Sequence, residues 1–165
     1  MATAIYLTSV IMRHPRNIHS SSGFSLIELL IVVAIIGILA AIAVPNLLAS
    51  KRAANEGSAI SSLRTVTSAQ MTYRALYGNN SFAATGVDLA TVKLIDDILG
   101  AASPAKKSGY NFTITGTASE YEVIAEPVSY GTTGTRSFYT NESGVIYCTI
   151  SGTAGTRASP GSVIQ

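Results

Sequence analysis

The sequence of 165 residues contains no tryptophan, one cysteine and two histidines, and only 12% of it is charged. The lone cysteine, Cys148, excludes a disulfide within the chain. Its place in an apolar, strand-like run reads as a small buried hydrophobe. Both histidines, His14 and His19, precede Gly23, so everything after that glycine is free of imidazole. Ser-His-Asp and Cys-His catalysis and histidine-ligated zinc are thereby excluded from that part. No Gly-rich phosphate loop stands at a strand–helix junction. The chain reads as a non-enzyme with no catalytic, metal or cofactor-binding residue and no cofactor. Surplus positive charge is scarce too. From Phe24 onward nine basic residues balance nine acidic ones, and the net +2 comes from Arg13 and Arg16. No broad basic field is left for phosphate backbones, so nucleic acid is not an expected partner.

What the chain does have is one long apolar run. Gly23-Phe24-Ser25-Leu26-Ile27-Glu28 leads into an uncharged stretch from Leu29 to Val44. As a helix, Phe24–Val44 would measure roughly 32 Å, enough to cross a bilayer core. Its one charge, Glu28, would cost about 2.5–3.5 kcal/mol at mid-bilayer and less near the interface. Such a carboxylate asks for a functional reason.

Residues 1–11 are apolar, and residues 12–23 are short, polar and basic. A secretory signal places its apolar region before the cleavage site, the reverse of this order. Residues 1–23 read as a leader that Arg13 and Arg16 hold on the cytoplasmic side, with translation expected to start at Met12 so that 1–11 are not made. Lys51 and Arg52 beyond the apolar run reduce the charge asymmetry.

Residues 24–77 read as one helix, apolar on all faces over 24–45 and amphipathic over 46–77. Pro45 lacks an N–H and is expected to kink or loosen it. Ile60, Leu63, Val66, Gln70, Tyr73 and Tyr77 recur on one side, while Lys51, Arg52, Glu56, Arg64 and Arg74 mark polar faces. Gly78-Asn79-Asn80 is the stop signal. Residues 78–109 connect, with a short helix expected at Leu89–Leu94 behind an Asp88 N-cap. Ile95, Ile98 and Leu99 are candidates to dock on the amphipathic half, and 103–109 reads as a loop. Residues 110–150 alternate as strands, with a hairpin around Asn141–Gly144. Period-2 alternation implies one buried and one solvated sheet face. Residues 151–165, rich in Ser, Gly and Thr, read as a flexible tail.

The run Gly23-Phe24-Ser25-Leu26-Ile27-Glu28, the apolar span behind it and Pro45 closely resemble the N-terminus of type IV pilins and their pseudopilin relatives. A weaker likeness covers 110–147, where GYNFTI, YEVIAEP and GTRSFYTNESGVI resemble the sheet of small pilins. The resemblance implies an α+β fold. Its long N-terminal helix, transmembrane in its first half, packs on a small antiparallel sheet of about four strands. It implies cleavage between Gly23 and Phe24 by a membrane-embedded prepilin peptidase, N-methylation of Phe24, and a role for Glu28 in assembly. The chain departs from the pattern at Ser20-Ser21-Ser22, where many leaders carry a basic residue. It also lacks the cysteine pair that closes a C-terminal loop in larger pilins.

The chemistry fits these positions. Gly23 offers a peptidase a small residue before the scissile bond. Glu28 lies one helical turn from the amine that cleavage would free on Phe24, and opposite charges attract strongly in an apolar medium once both are paired. The leading expectation is a structural subunit of a type IV pilus. Its partners would be copies of itself, other pilins, the prepilin peptidase, and an inner-membrane assembly platform with its motor ATPase. It would be a single-pass inner-membrane protein first and part of a surface fibre later. The alternatives are a pseudopilin of a type II secretion system and, from another class, a membrane-anchored DNA- or ligand-binding module. The last would need a basic patch interleaved with aromatics. The eight tyrosines are instead spread through the chain.

Overall fold

The computed structural model describes residues 23–157 and 159–164. Residues 1–22, which hold the expected start at Met12 and all but the last residue of the expected leader 1–23, lie outside the described residues. Contacts divide the chain into two units, Met1–Leu39 and Ala40–Gln165. Helix α1, Leu26–Leu76, contributes to both.

In the first unit every described residue is exposed. Leucine, isoleucine and valine line the helix on all sides. A helix that is apolar all round needs an apolar environment from outside its own chain.

In the second unit α1 buries Glu56, Ala59, Ser62, Leu63, Val66, Ala69 and Gln70. The 3–4 spacing is that of one helical face. Ile60 and Tyr73 pack at the edge of the core. Tyr77, expected on this stripe, is exposed. Glu56, expected on a polar face, is buried, because partners described below reach it. Gln70 is fully buried and exchanges two hydrogen bonds with the backbone of Ala83 (Nε2 to the carbonyl 3.1 Å, Oε1 from the N–H 2.9 Å). The helix stops where Asn79 and Asn80 take left-handed φ of 45° and 70°.

The short helix α2 occupies Gly86–Thr91, three residues earlier than expected. Asp88 is not its N-cap. Its carboxylate reaches back to the Thr85 N–H (2.8 Å) and hydroxyl (2.9 Å), so Thr85 opens the helix with Asp88 at its third position. Ile95 and Leu99 join the core as expected, whereas Ile98 stays exposed.

The sheet has six antiparallel strands in chain order. They are β1 (Ala105–Lys107), β2 (Tyr110–Gly116), β3 (Tyr121–Pro127), β4 (Ser137–Asn141), β5 (Ile146–Thr149) and β6 (Ser162–Val163). The central four match the expected sheet of about four. β1 lies in the stretch read as a loop. Ser108 and Gly109, at φ 49° and 75°, make a two-residue hairpin that folds Lys106 and Lys107 back along β2. The inner face of the sheet, including Tyr110, Phe112, Val123, Ala125 and Phe138, packs with Leu63 and Val66 in one core.

The outer face is not simply solvated. β4 buries Ser137 and Tyr139 as well as its inward-facing residues. Residues 151–157 lie across that face as a strap, which corrects the reading of 151–165 as a flexible tail. The Ser137 hydroxyl donates to the Ser151 carbonyl (2.7 Å), and the Ala154 N–H donates to Glu126 (2.9 Å). Arg157 then grips both carboxylate oxygens of Glu142 and the Tyr121 carbonyl. Ser/Gly/Thr composition suggested mobility, but small residues also let a chain lie flat on a sheet. β6 follows, pairing with β5 through Cys148 and Tyr147.

Candidate functional site

Gly23 and Phe24 precede the helix, and both are exposed. A Cβ added at Gly23 would meet nothing within 4 Å, so the chain's own packing does not require glycine there. Ser25 opens the helix: its carbonyl accepts from the N–H groups of Glu28 (3.1 Å) and Leu29 (3.2 Å). The Glu28 carboxylate turns back and accepts the Ser25 N–H at 2.9 Å. Ser25-Leu26-Ile27-Glu28 thus has the spacing of a capping box, with the reciprocal glutamate bond formed. The negative charge lies where the helix dipole favours it, against the N–H of Ser25, the residue that follows Phe24. The Ser-x-x-Glu spacing is legible in the sequence, but an acid in an apolar run reads first as a charge in need of a partner, which hides the capping role of Ser25.

Pro45 lies within α1, and the helix continues through it. One position on, the Asn46 amide donates to the Ile42 carbonyl at 3.1 Å. Pro45 also borders a groove of about 230 Å³ with Leu48, Arg52, Gly131 and Thr132.

The loop 128–136 between β3 and β4 is tied to α1 by three side chains of one helical turn. Arg52 donates to the Gly131 carbonyl (3.0 Å) and Asn55 to the Thr133 carbonyl (2.9 Å). Glu56 accepts from the Thr135 N–H (2.8 Å), the Thr135 hydroxyl (3.0 Å) and Arg136 Nε (2.8 Å). Burial opposes the Glu56 charge, but the Thr135 and Arg136 donors outweigh it and hold the carboxyl below its ordinary 4.5. The Tyr110 hydroxyl donates to the Arg136 carbonyl (2.7 Å), and burial pushes that phenol up. This clasp was missed because charged residues on a helix read as solvated.

The family model described as the prokaryotic N-terminal methylation motif matches residues 18–44, which hold Gly23, Phe24 and Glu28. This N-terminal segment is similar to that of type IV pilins and pseudopilins, and the long helix packed against an antiparallel sheet is consistent with the type IV pilin fold. Among known proteins, the chain is 41% identical over 75 residues to the type IV wide pilus major component PilA4 of Thermus thermophilus, covering 46% of this chain and 56% of the relative. It is 47% identical over 60 residues to the type IV major pilin protein PilA of Myxococcus xanthus, covering 36% and 26%. It is 38% identical over 64 residues to the type II secretion system core protein G of Aeromonas hydrophila, covering 39% and 43%. The matched stretches therefore span from about a quarter to just over half of these relatives. No solved structure matches the chain.

Proposed function

We propose that the chain is a structural subunit of a type IV pilus, processed at Gly23–Phe24 and polymerised through its N-terminal helix. One observation carries the reading: the first half of α1, as far as Val44, is apolar on every side and exposed on every side, with a single carboxylate in its first turn. The same surface suits lipid and a bundle of identical helices, so moving from one to the other need not bring it into water. The fibre follows from a head-to-tail contact that does not close into a ring.

In this reading the peptidase selects Gly23 for its lack of a side chain, a demand that comes from outside the chain's own packing. Cleavage frees the Phe24 amine, which is then methylated. Glu28 of an incoming subunit exchanges its bond to Ser25 for the Phe24 amine of a subunit already in place, and the ion pair sets axial register. Pro45 serves as the yielding point of the helix. The anchored subunit is single-pass in the inner membrane with its head outside the cytoplasm. Its partners are like subunits, the peptidase and the assembly machine with its ATPase. Its task is structural, not catalytic.

The test is N-terminal sequencing of filaments sheared from cells. The expected sequence starts at a methylated Phe24. A protein that keeps residues before Gly23 and never leaves the bilayer overturns the proposal. The second reading, a secretion pseudopilin, has the likeness to core protein G in its favour, while the two pilin matches carry the higher identities. Deletion that abolishes protein secretion but leaves surface filaments intact selects that reading instead.

A further inference from the structure

We propose that the rim of the head at the Pro45 end of its helix is a foot that rests on an anionic lipid surface while the subunit is anchored. The inference rests on the reading of the apolar helix as a membrane anchor, and goes beyond it.

β2 starts, β3 ends, β4 starts and β5 ends at one end of the sheet. The loops there meet α1 at Arg52, Asn55 and Glu56, and the groove under Gly131 and Thr132 reaches down to Leu48 and Pro45. Three large apolar side chains on this rim point away from the core: Val128, Tyr130 and Ile150, the last 80% exposed. Leu47 and Leu48, on the helix just past Pro45, are exposed as well, and Leu48 lines the groove under Gly131 and Thr132. The Tyr130 side chain lies against Gly152, where an added Cβ would come within 3.4 Å, so the aromatic is held and not loose. Exposed apolar groups gathered on one rim mark an interaction surface. A half-exposed tyrosine beside the end of an apolar helix suits the headgroup layer.

Charge selects the occupant. Lys51, Arg52 and Lys106 carry the free positive charge of this end, and none has a carboxylate within 4.0 Å among the described residues. Of the neighbouring acids, Glu56 is paired with Arg136 and Asp96 with Lys107, while Glu126 accepts the Ala154 N–H and keeps its charge, so the three cations outnumber the one uncompensated acid. The opposite end of the sheet carries Glu120, Glu122 and Glu142; Arg157 pairs with the first and the last, and Arg74 over Phe82 is a second cation there, which leaves the acids in excess. The head is therefore polarised, basic and apolar near Pro45 and acidic far from it. An anionic surface attracts the first end and repels the second. The clasp holds the loop in place, so contact costs little further ordering. A subunit leaving for a fibre must lift this foot, and the lipid charge sets how hard that is.

The chain lacks tryptophan, so Tyr130→Trp places a single indole on the rim of the full-length protein. Ile150→Trp is a second, independent probe. Each is reconstituted into vesicles of phosphatidylcholine alone or mixed with phosphatidylglycerol, and vesicle flotation reports anchoring separately. The expected result is indole emission shifted to the blue in mixed vesicles and quenched by lipids labelled near the headgroup. Lys51→Gln and Lys106→Gln are each expected to lower the contact equilibrium about fivefold. Indole emission at the fully aqueous position in floating mixed vesicles overturns the foot and leaves the anchor standing. Quenching that ignores the lipid label and rises with protein-to-lipid ratio gives the surface to a second copy, and also overturns it. Protein that does not float at all overturns the anchor and the foot together.

Discussion

Arg136 Nε donates to Glu56 Oε2 at 2.8 Å, joining residues 80 positions apart in the chain. Glu56 is almost wholly buried, while the Arg136 side chain is 41% exposed. The pair and the two Thr135 donors hold the loop 128–136 on α1. Because the folded carboxyl titrates below its ordinary value, the unfolded chain takes up the proton first. The stabilisation is complete above about pH 4.5 and is lost as pH falls through the lower folded value. Glu142 and Asp96, held down by Arg157 and Lys107, add to the same loss. Urea unfolding in detergent should show stability falling below pH 4.5, with a shallower fall for Glu56→Gln. At pH 7 that variant should lose roughly 2–3 kcal/mol, within the range for charged hydrogen bonds with a partly solvated partner. An unchanged pH slope would remove Glu56 from the account.

Gln70 satisfies both backbone groups of Ala83 from inside the core. Gln70→Ala leaves a buried donor and a buried acceptor without partners and should cost about 2–4 kcal/mol. Gln70→Glu, ionised at pH 7, can still accept from the N–H but cannot donate and buries a charge, so it should also be destabilised. Denaturation midpoints of the three proteins check both losses.

Gly134 sits against Tyr110, and a Cβ there would fall on the phenol oxygen. Gly134→Ala should therefore cost about 1–3 kcal/mol by overpacking. Tyr110→Phe in the same chain should return only part of this, because ring carbon Cζ also lies 2.7 Å from the added atom. Full additivity of the two substitutions would mean that the residues do not touch.

Arg157 is the last grip of the strap over the outer sheet face. Arg157→Ala should speed proteolytic cleavage within 151–157 several-fold and leave the core intact, read by limited proteolysis and mass spectrometry. Equal cleavage rates would show that Ser151 and Ala154 suffice to hold it.

Glu28→Gln retains an oxygen that can accept the Ser25 N–H but loses the charge. Processing should continue and filaments should fail, measured by N-terminal sequencing and electron microscopy. Normal filaments assembled at the normal rate would remove the ion pair from the assembly proposal.

Much of this was legible along the chain. The apolar run, its lone Glu28, Pro45 and the asparagine stop announce helix α1, because helical character is local and periodic. The four central strands show in the alternation of Tyr110, Phe112 and Ile114 and of Tyr121, Val123 and Ala125. Harder to see were β1, whose lysines resemble a loop, and the strap, whose small residues resemble a mobile end. Glu56 and Gln70 were illegible for a related reason: a polar residue on a helix gives no local sign that a partner some 80 or 13 positions away will satisfy it.

The sequence by itself determined a chain that must find an apolar environment for one helix and carries a single acid at its head. Covalent order suffices for that, since hydrophobicity and spacing act over a few residues. Only the tertiary structure decided that Glu56 clasps a distant loop, that 151–157 cover a sheet face, and that apolar side chains gather with free cations on the rim near Pro45. Those outcomes depend on which groups meet when distant segments pack, and burial then makes each unpartnered polar group too costly to leave.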